Sequence, residues 1–139
     1  MKKIVVDNQT LGQAIIDTLS EGQNVSFTVK GNSMRPFFCD GVTTVNITKK
    51  DTYHKRDVIF FRYQQTLKLH RIKSIKDQHI NACGDNLRQI EIIQVGDIIG
   101  YVESFQTNHK KIYTKSFIYK TKVFLWLLIK PLVLRLVRR

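Results

Sequence analysis

The chain has 139 residues, a length suited to one domain, and its 42% hydrophobic content is enough to build a single core. The formal net charge is +12, from 23 Lys and Arg against 11 Asp and Glu, which favours an anionic partner such as lipid headgroups or nucleic acid. Only two cysteines occur, Cys39 and Cys83, and they lack the paired spacing of a zinc site. The composition therefore excludes a disulfide framework, and we expect two free thiols and no metal site.

The N-terminal residues combine a signal-peptide-like start with an early polar break. Lys2 and Lys3 precede a short apolar run, but Asp7 to Gln9 are polar, so we expect no export signal. Apolar residues then recur at helical spacing up to Gly22, which predicts a short amphipathic helix from about Thr10 to Glu21.

The period changes after this helix. Strict alternation and β-branched runs, separated by Gly, Asp and Asn turns, predict a series of short strands. The stretch from Asp57 to Tyr63 is apolar enough to be a strand buried on both faces. The predicted strands cover residues 25–29, 42–47, 57–63, 67–72, 79–82 and 98–105. We therefore expect a mainly β body.

The C-terminal tail differs in composition. No acidic residue follows Glu103, while nine of the basic residues fall there, beside the apolar run from Val123 to Ile129. A spanning helix needs about 20 mostly apolar residues, and Lys130 and Pro131 interrupt this one. The tail therefore predicts an interfacial helix with Trp126 at the headgroup level. The alternative is that the apolar run packs on an exposed side of the β domain or on a partner chain.

The most informative motif is Gly31-Asn32-Ser33-Met34-Arg35-Pro36, at the end of a predicted strand. Gly31 can adopt backbone angles closed to other residues and Pro36 restricts the exit, so Ser33 is expected in a rigid turn. A serine hydroxyl needs a neighbouring base to act as a nucleophile. His70 is the best candidate, because a neutral imidazole accepts protons near pH 7.

These residues resemble the type I signal peptidase family, whose β-rich fold is shared with LexA-type self-cleaving repressors. Four further segments are similar to the family's boxes and follow in the same order. They are Lys55 to Phe61, Leu69-His70-Arg71-Ile72, Gly84-Asp85-Asn86 and Gly96 to Val102. The His70 box is similar to that of the endoplasmic-reticulum and archaeal branch, where His replaces a bacterial Lys.

The resemblance implies a LexA/signal-peptidase-like β fold with a short N-terminal helix and a basic, apolar C-terminal helix. It also implies a serine endopeptidase without a cofactor that cleaves signal or leader peptides, with Ser33 as nucleophile and His70 as general base. An acidic residue in or just after the Gly-Asp-Asn box would orient the imidazole, with Asp85 first and Glu91 second. The backbone N–H of Ser33, assisted by Asn32, would bind the oxyanion.

Two other functions stay open. A non-catalytic module of the same fold that binds membranes or leader peptides is favoured by the altered Gly-Asp positions, which read Gly41-Val42 and Arg56-Asp57. A LexA-type self-cleaving regulator would call for a Lys base and an Ala-Gly cleavage site, neither of which appears. Nucleic-acid binding is not expected, because the charge lies beside an apolar run and is not interleaved with stacking aromatics.

The predicted organisation is a catalytic domain over residues 1–108, with its motifs at about 25–102, and a membrane-associating tail over 109–139. The partners are a peptide substrate and a membrane surface. Because no export signal is expected, we predict peripheral association with the cytoplasmic face. Arg71, next to His70 in a strand, should point to the opposite face and be structural or solvent-facing.

Overall fold

The computed structural model describes residues 8–137 and shows the expected mainly β fold, with one helix at each end. The helices are α1 (Asn8–Ser20) and α2 (Phe117–Val137). The strands are β1 (Val25–Thr28), β2 (Thr44–Thr48), β3 (Val58–Tyr63), β4 (Thr66–Lys76), β5 (His79–Cys83), β6 (Ile90–Gln94), β7 (Ile98–Thr107) and β8 (Lys110–Tyr113). A 3₁₀ turn over Val95–Asp97 joins β6 to β7.

All eight strands belong to one antiparallel sheet. Its order is β1-β2-β7-β3-β4-β5-β6, and β8 pairs with the distal half of β7. Register shifts interrupt three ladders, at Asn46/Ile47 in β2, Phe60/Phe61 in β3 and Ile72/Ser74 in β4. Such irregularities bend and twist the strands that carry them, and the sheet is accordingly curled.

The curled sheet packs a hydrophobic cluster on each face. On one face Val58 and Phe60 join the larger cluster, which includes α1 and α2; on the other, Ile59 and Phe61 join a smaller one. Strand β3 is thus buried on both faces, which confirms the interpretation of its continuous apolar run.

Helix α1 begins two residues earlier than predicted and is followed by Gly22 at φ +81°. A positive φ suits glycine, because it has no Cβ to clash with the backbone. Ile15 and Leu19 of α1 are buried in the larger cluster. A Cβ on Gly12 would stand 2.3 Å from the Leu67 side chain, which shows how closely α1 lies against β4.

The predicted tail is part of the folded body. Strand β8 extends the sheet, and Tyr119 and Val123 of α2 are buried in the larger cluster. The predicted boundary at residue 108 falls in the turn between the paired strands β7 and β8. Helix α2 also continues through Pro131. Lys130 and Pro131 interrupt the apolar run but do not end the helix, since packing on the sheet sustains it despite the lost N–H donor.

Two strands, β6 and β8, were not predicted. In β6 the burial pattern differs from what side-chain hydrophobicity predicts: Ile90 and Ile92 are exposed, whereas Glu91 and Ile93 are buried. A buried glutamate next to exposed isoleucines cannot be inferred from the strand's own composition, because its partner lies on another strand.

Candidate active site

Ser33 lies in the turn that leads from β1 towards β2. Gly31 has φ +88°, as its place in the motif predicted, and its N–H donates to Asp40 Oδ1 at 2.7 Å. Met34 and Phe38 are buried beneath the turn, with 4% and 0% of their surfaces exposed. Ser33 itself is half-buried. The turn is thus held from below and from its side.

A second turn, Gly84-Asp85-Asn86, contacts the serine turn and forms hydrogen bonds with its backbone. The Asn86 N–H donates to the Ser33 carbonyl oxygen at 2.9 Å, and Asn86 Nδ2 donates to the Asn32 carbonyl at 3.2 Å. A Cβ on Gly84 would lie 2.7 Å from the Ser33 carbonyl oxygen. Glycine is therefore required for the two turns to approach this closely.

His70 lies on β4 and is held by Glu91 of β6. The His70 Nδ1 and Glu91 Oε1 atoms are 2.7 Å apart, and both residues are buried. The Phe61 ring stands edge-on to the imidazole, with the centroids 6.1 Å apart. These contacts fix the orientation of the imidazole plane.

The strand register explains why Glu91 reaches His70. Ile72 of β4 pairs with Ala82 of β5, which pairs with Glu91 of β6, so the three side chains point to one face. His70 is two residues before Ile72 and shares that face, since side chains alternate along a strand. Glu91 therefore meets His70 across the short β5 strand.

This contact determines the tautomer of a neutral His70. An ionised carboxylate only accepts hydrogen bonds, so the proton of the imidazole lies on Nδ1. The lone pair is then on Nε2, the atom that a general base uses.

Lys68 provides a positive charge beside this pair. Its Nζ lies 3.4 Å from Glu91 Oε2, and about a third of its side chain is exposed. The buried carboxylate therefore has a charged partner as well as the imidazole, which offsets part of its desolvation cost.

The opposite face carries a second buried cluster. Arg71 pairs with Asp85 through two hydrogen bonds of 2.8 Å, and it also donates to the Tyr119 hydroxyl at 2.8 Å and to the Arg56 carbonyl at 2.9 Å. Burial by itself lowers the pKa of Arg71, but Asp85 and Tyr119 outweigh it and the pKa is raised above its ordinary value. Arg71 thus stays charged and structural.

These contacts correct the order of the two carboxylate candidates. Asp85, placed first as the group that orients the imidazole, pairs with Arg71; Glu91, placed second, contacts His70. The reason is the alternation of side chains. Arg71, next to His70 in β4, points to the opposite face, where Asp85 of the turn after β5 contacts it. Arg71 does point away from the His70 face, as expected, but it is buried and not solvent-facing.

Ser33 and His70 line one groove of about 710 Å³. Two runs of consecutive residues, 25–31 and 67–70, form opposite walls, and α1 closes part of it. Because neighbouring side chains of a strand point to opposite faces, a wall of consecutive residues means that the strand edge itself borders the groove. Within the described residues, no hydrogen bond joins the Ser33 hydroxyl to His70.

Among the strands of residues 8–137, the two wall strands each have an edge with no partner strand. β1 is the terminal strand of the sheet and pairs with β2 on one side. β4 pairs with β5 only from Arg71 onward, so residues 67–70 pair with β3 alone. The groove therefore offers backbone donors and acceptors along both walls.

Other candidate groups are apart from this groove or in supporting positions. His54, His79 and His109 are exposed, and both cysteines are free thiols, with Cys83 buried. Asn32 is exposed and its carbonyl accepts hydrogen bonds from Asn86 Nδ2 and the Arg35 N–H. Across residues 8–137, no cluster of three or more His, Cys, Asp or Glu could hold a metal ion.

Three side chains of α2 that sequence reasoning did not assign to the site contact its supporting turn or the Arg71 cluster. Trp126 Nε1 donates to the Asp85 carbonyl at 2.8 Å, Lys130 Nζ donates to the Gly84 carbonyl at 2.9 Å, and Tyr119 contacts Arg71. Only the helical spacing of these three residues hinted at a shared face. Neither helix of the described chain combines the length and hydrophobicity that crossing a bilayer demands.

Comparison of the chain with protein-family models and with curated proteins found no match.

Proposed function

We propose that this protein is a serine endopeptidase of the signal-peptidase type that cleaves signal or leader peptides at a membrane surface. The observation that carries the proposal is that Ser33 and His70 line the same groove and that Glu91 contacts the imidazole of His70. A nucleophile, a base and a group that orients the base are the parts that a serine acyl-transfer site needs.

In the proposed reaction, Ser33 Oγ attacks the scissile carbonyl carbon while His70 Nε2 takes the hydroxyl proton. Glu91 stabilises the resulting imidazolium through Nδ1. The tetrahedral intermediate collapses, the C–N bond breaks, and His70 returns the proton to the leaving amine. Water, activated by the same imidazole, then hydrolyses the acyl-enzyme. The Ser33 N–H, with Asn32 beside it, is the proposed oxyanion donor.

In the described part of the chain, no hydrogen bond joins the Ser33 hydroxyl to His70, and a serine peptidase does not require one before its substrate binds. Such catalytic hydrogen bonds are often long or misaligned in free enzymes and tighten in the complex. The same observation is what a non-catalytic peptide-binding module would show, so this second function is retained as an outcome of the experiment below.

The groove favours an extended peptide as substrate. Unpaired backbone groups on both walls can form ladder hydrogen bonds with an added strand, and alternate side chains of the peptide would then enter the groove. Its floor is apolar, with Phe27, Met34, Phe60 and Leu69 among the lining residues. Apolar segments of leader peptides suit this lining, and the family resemblance adds a preference for small residues beside the cleaved bond.

The outer face of α2 supports peripheral association with anionic lipid. At 100° per residue, Leu125, Leu128 and Leu132 lie on one side of the helix, and they are 54%, 62% and 59% exposed. Lys120 and Lys122 are exposed at the two borders of this stripe. Apolar residues flanked by lysines are typical of helices that lie in the headgroup region of anionic membranes, and the net charge of +12 adds attraction.

Serine reactivity tests the enzymatic proposal. The full chain is incubated with a serine-reactive phosphonate and, separately, with leader-type peptides, and compared with Ser33→Ala and His70→Ala. We expect labelling at Ser33 and cleavage by the wild type alone. Peptide binding without labelling or cleavage would establish the binding module instead and refute the peptidase. A Ser26→Ala variant controls for the second serine that lines the groove.

Flotation with vesicles tests the membrane proposal. Replacing Leu125, Leu128 and Leu132 by Ser should reduce binding to anionic vesicles at least about tenfold, since each leucine loses apolar burial. A control replaces three exposed apolar residues of the body, Val42, Ile75 and Ile92, by Ser. Equal flotation of both triple variants would contradict a lipid-binding role of α2.

A further inference from the structure

The inner face of α2 contacts the turn that holds the nucleophile. Trp126 and Lys130 are four residues apart on one side of the helix, and each donates a hydrogen bond to a carbonyl of the Gly84-Asp85 peptide units, at 2.8 and 2.9 Å. Among the residues of α2, Tyr119, Val123 and Leu134 are buried on the same side. The inner face of α2 thus makes both hydrogen bonds to this turn and apolar contacts with the body.

The Gly84-Asp85-Asn86 turn, which α2 restrains, also contacts the backbone around Ser33. The Asn86 N–H, one residue after the Asp85 carbonyl, donates to the Ser33 carbonyl at 2.9 Å. The Asp85 N–H is 3.4 Å from Met34 Sδ, next to the serine in the chain. Two carbonyls on one side of the turn are therefore bonded to α2, while two N–H groups on its other side contact the serine turn.

From these contacts we infer that Trp126 and Lys130 are positioning residues for the proposed nucleophile: they set the Gly84-Asp85-Asn86 turn, which sets the Ser33 backbone. This inference rests on the proposed function. It assigns the C-terminal helix a place in the active-site support in addition to its outer, lipid-facing side.

The two donors are suited to this role. Trp126 is only partly exposed and its indole N–H has a single acceptor, so its ring orientation is defined by that bond. Lys130 is half-buried, and its ammonium lies 2.9 Å from the Gly84 carbonyl and 3.5 Å from Cys83 Sγ. Charge-assisted hydrogen bonds to carbonyls are stronger than neutral ones. The loss of either donor should loosen the turn without emptying the core.

The experiment measures the reactivity of Ser33 directly. Phosphonate labelling rates are compared for the full-length wild type, Trp126→Phe and Lys130→Met, which remove the donors and retain ring or chain volume. We expect the labelling rate to fall about five- to fiftyfold in each variant. With peptide substrate, kcat should fall by a similar factor while KM changes less than about twofold, because the groove walls are unchanged.

Two controls separate positioning from general stability. Lys73→Met removes an exposed lysine charge from β4 and should label at the wild-type rate. Lys130→Arg restores a cationic donor and should recover at least half of the lost rate. Each variant's melting temperature is measured, and the labelling rates are compared at a temperature where all are folded.

The outcomes are distinct. If the wild type is not labelled at Ser33, the proposed function itself fails. If the wild type is labelled and both Trp126→Phe and Lys130→Met react at its rate, the peptidase stands and the positioning role is refuted. A rate that falls only in proportion to the unfolded fraction also refutes it.

Discussion

The Nδ1 atom of His70 lies 2.7 Å from Oε1 of Glu91, and both side chains are buried. This contact orients the imidazole of a strand histidine, since the carboxylate sets the tautomer and the ring plane. The hydrogen bond joins β4 to β6 across the intervening β5, between residues that are 21 positions apart in the chain.

Glu91→Gln should reduce kcat about 10²- to 10⁴-fold. The amide can present its N–H₂ to Nδ1 and so favour the wrong tautomer. Rates of peptide cleavage measured with saturating substrate check this. Glu21→Gln, an exposed change on the chain after α1, serves as the control and should leave kcat unaltered. A Glu91→Gln enzyme with wild-type kcat would show that the imidazole needs no carboxylate.

Arg71→Met should destabilise the fold by about 3–5 kcal/mol, because it leaves the buried Asp85 carboxylate without its partner. Urea unfolding monitored by the fluorescence of Trp126, the single tryptophan, measures the free energy of unfolding. Lys50→Met, which breaks the partly exposed pair with Asp57 and a contact with Tyr101, should cost less than about 2 kcal/mol. Equal costs for the two variants would contradict the structural role of the Arg71 pair.

Gly84→Ala should lower stability by about 1–3 kcal/mol and also slow the labelling of Ser33. The added methyl group would meet the Ser33 carbonyl oxygen at 2.7 Å, so the two turns must separate. Gly96→Ala is the matched control, since a Cβ there meets nothing within 4 Å. We expect it to change stability by less than about 0.5 kcal/mol. Normal labelling of a folded Gly84→Ala protein would show that the contact between the turns does not affect the serine.

The fold should lose stability as the pH rises above about 10. Burial raises the pKa of Tyr119, although the neighbouring Arg71 acts in the opposite direction, and burial likewise raises the pKa values of Tyr53 and Tyr101. The unfolded chain therefore releases these protons first. The stabilisation is complete below the unfolded pKa and is lost as the pH rises through the folded pKa, with a slope of up to about 1.4 kcal/mol per pH unit for each group.

Tyr119→Phe isolates one contribution to this slope. Although it removes a hydrogen bond to Arg71 at every pH, its free energy of unfolding should decline less steeply above pH 10 than that of the wild type. Chemical denaturation at a series of alkaline pH values measures both slopes. Tyr113→Phe, at an exposed position of β8, should follow the wild type. A Tyr119→Phe slope as steep as the wild-type slope would contradict the raised pKa of this hydroxyl.

Local patterns determined much of the architecture. The 3.6-residue period before Gly22 predicted α1 within two residues at each end. Alternation, β-branched runs and a continuous apolar run together predicted six of the strands, because such patterns record which side chains are buried. The Gly31 to Pro36 motif predicted the serine turn, because the backbone conformation of a turn depends mainly on its own residues. The doubly buried β3 was also visible in its own composition.

Only the tertiary structure decided which groups meet. The sequence favours Asp85 over Glu91 as the partner of His70, whereas the structure places Glu91 beside His70 and Asp85 beside Arg71 on the opposite face. The packing of α2 against the Gly84-Asp85 turn could not be predicted either. The composition of α2 indicates an apolar, basic helix but does not specify which surface it covers. Local sequence encodes the period and the turn chemistry of an element, whereas the partner of a buried charge depends on strand pairing across the whole sheet.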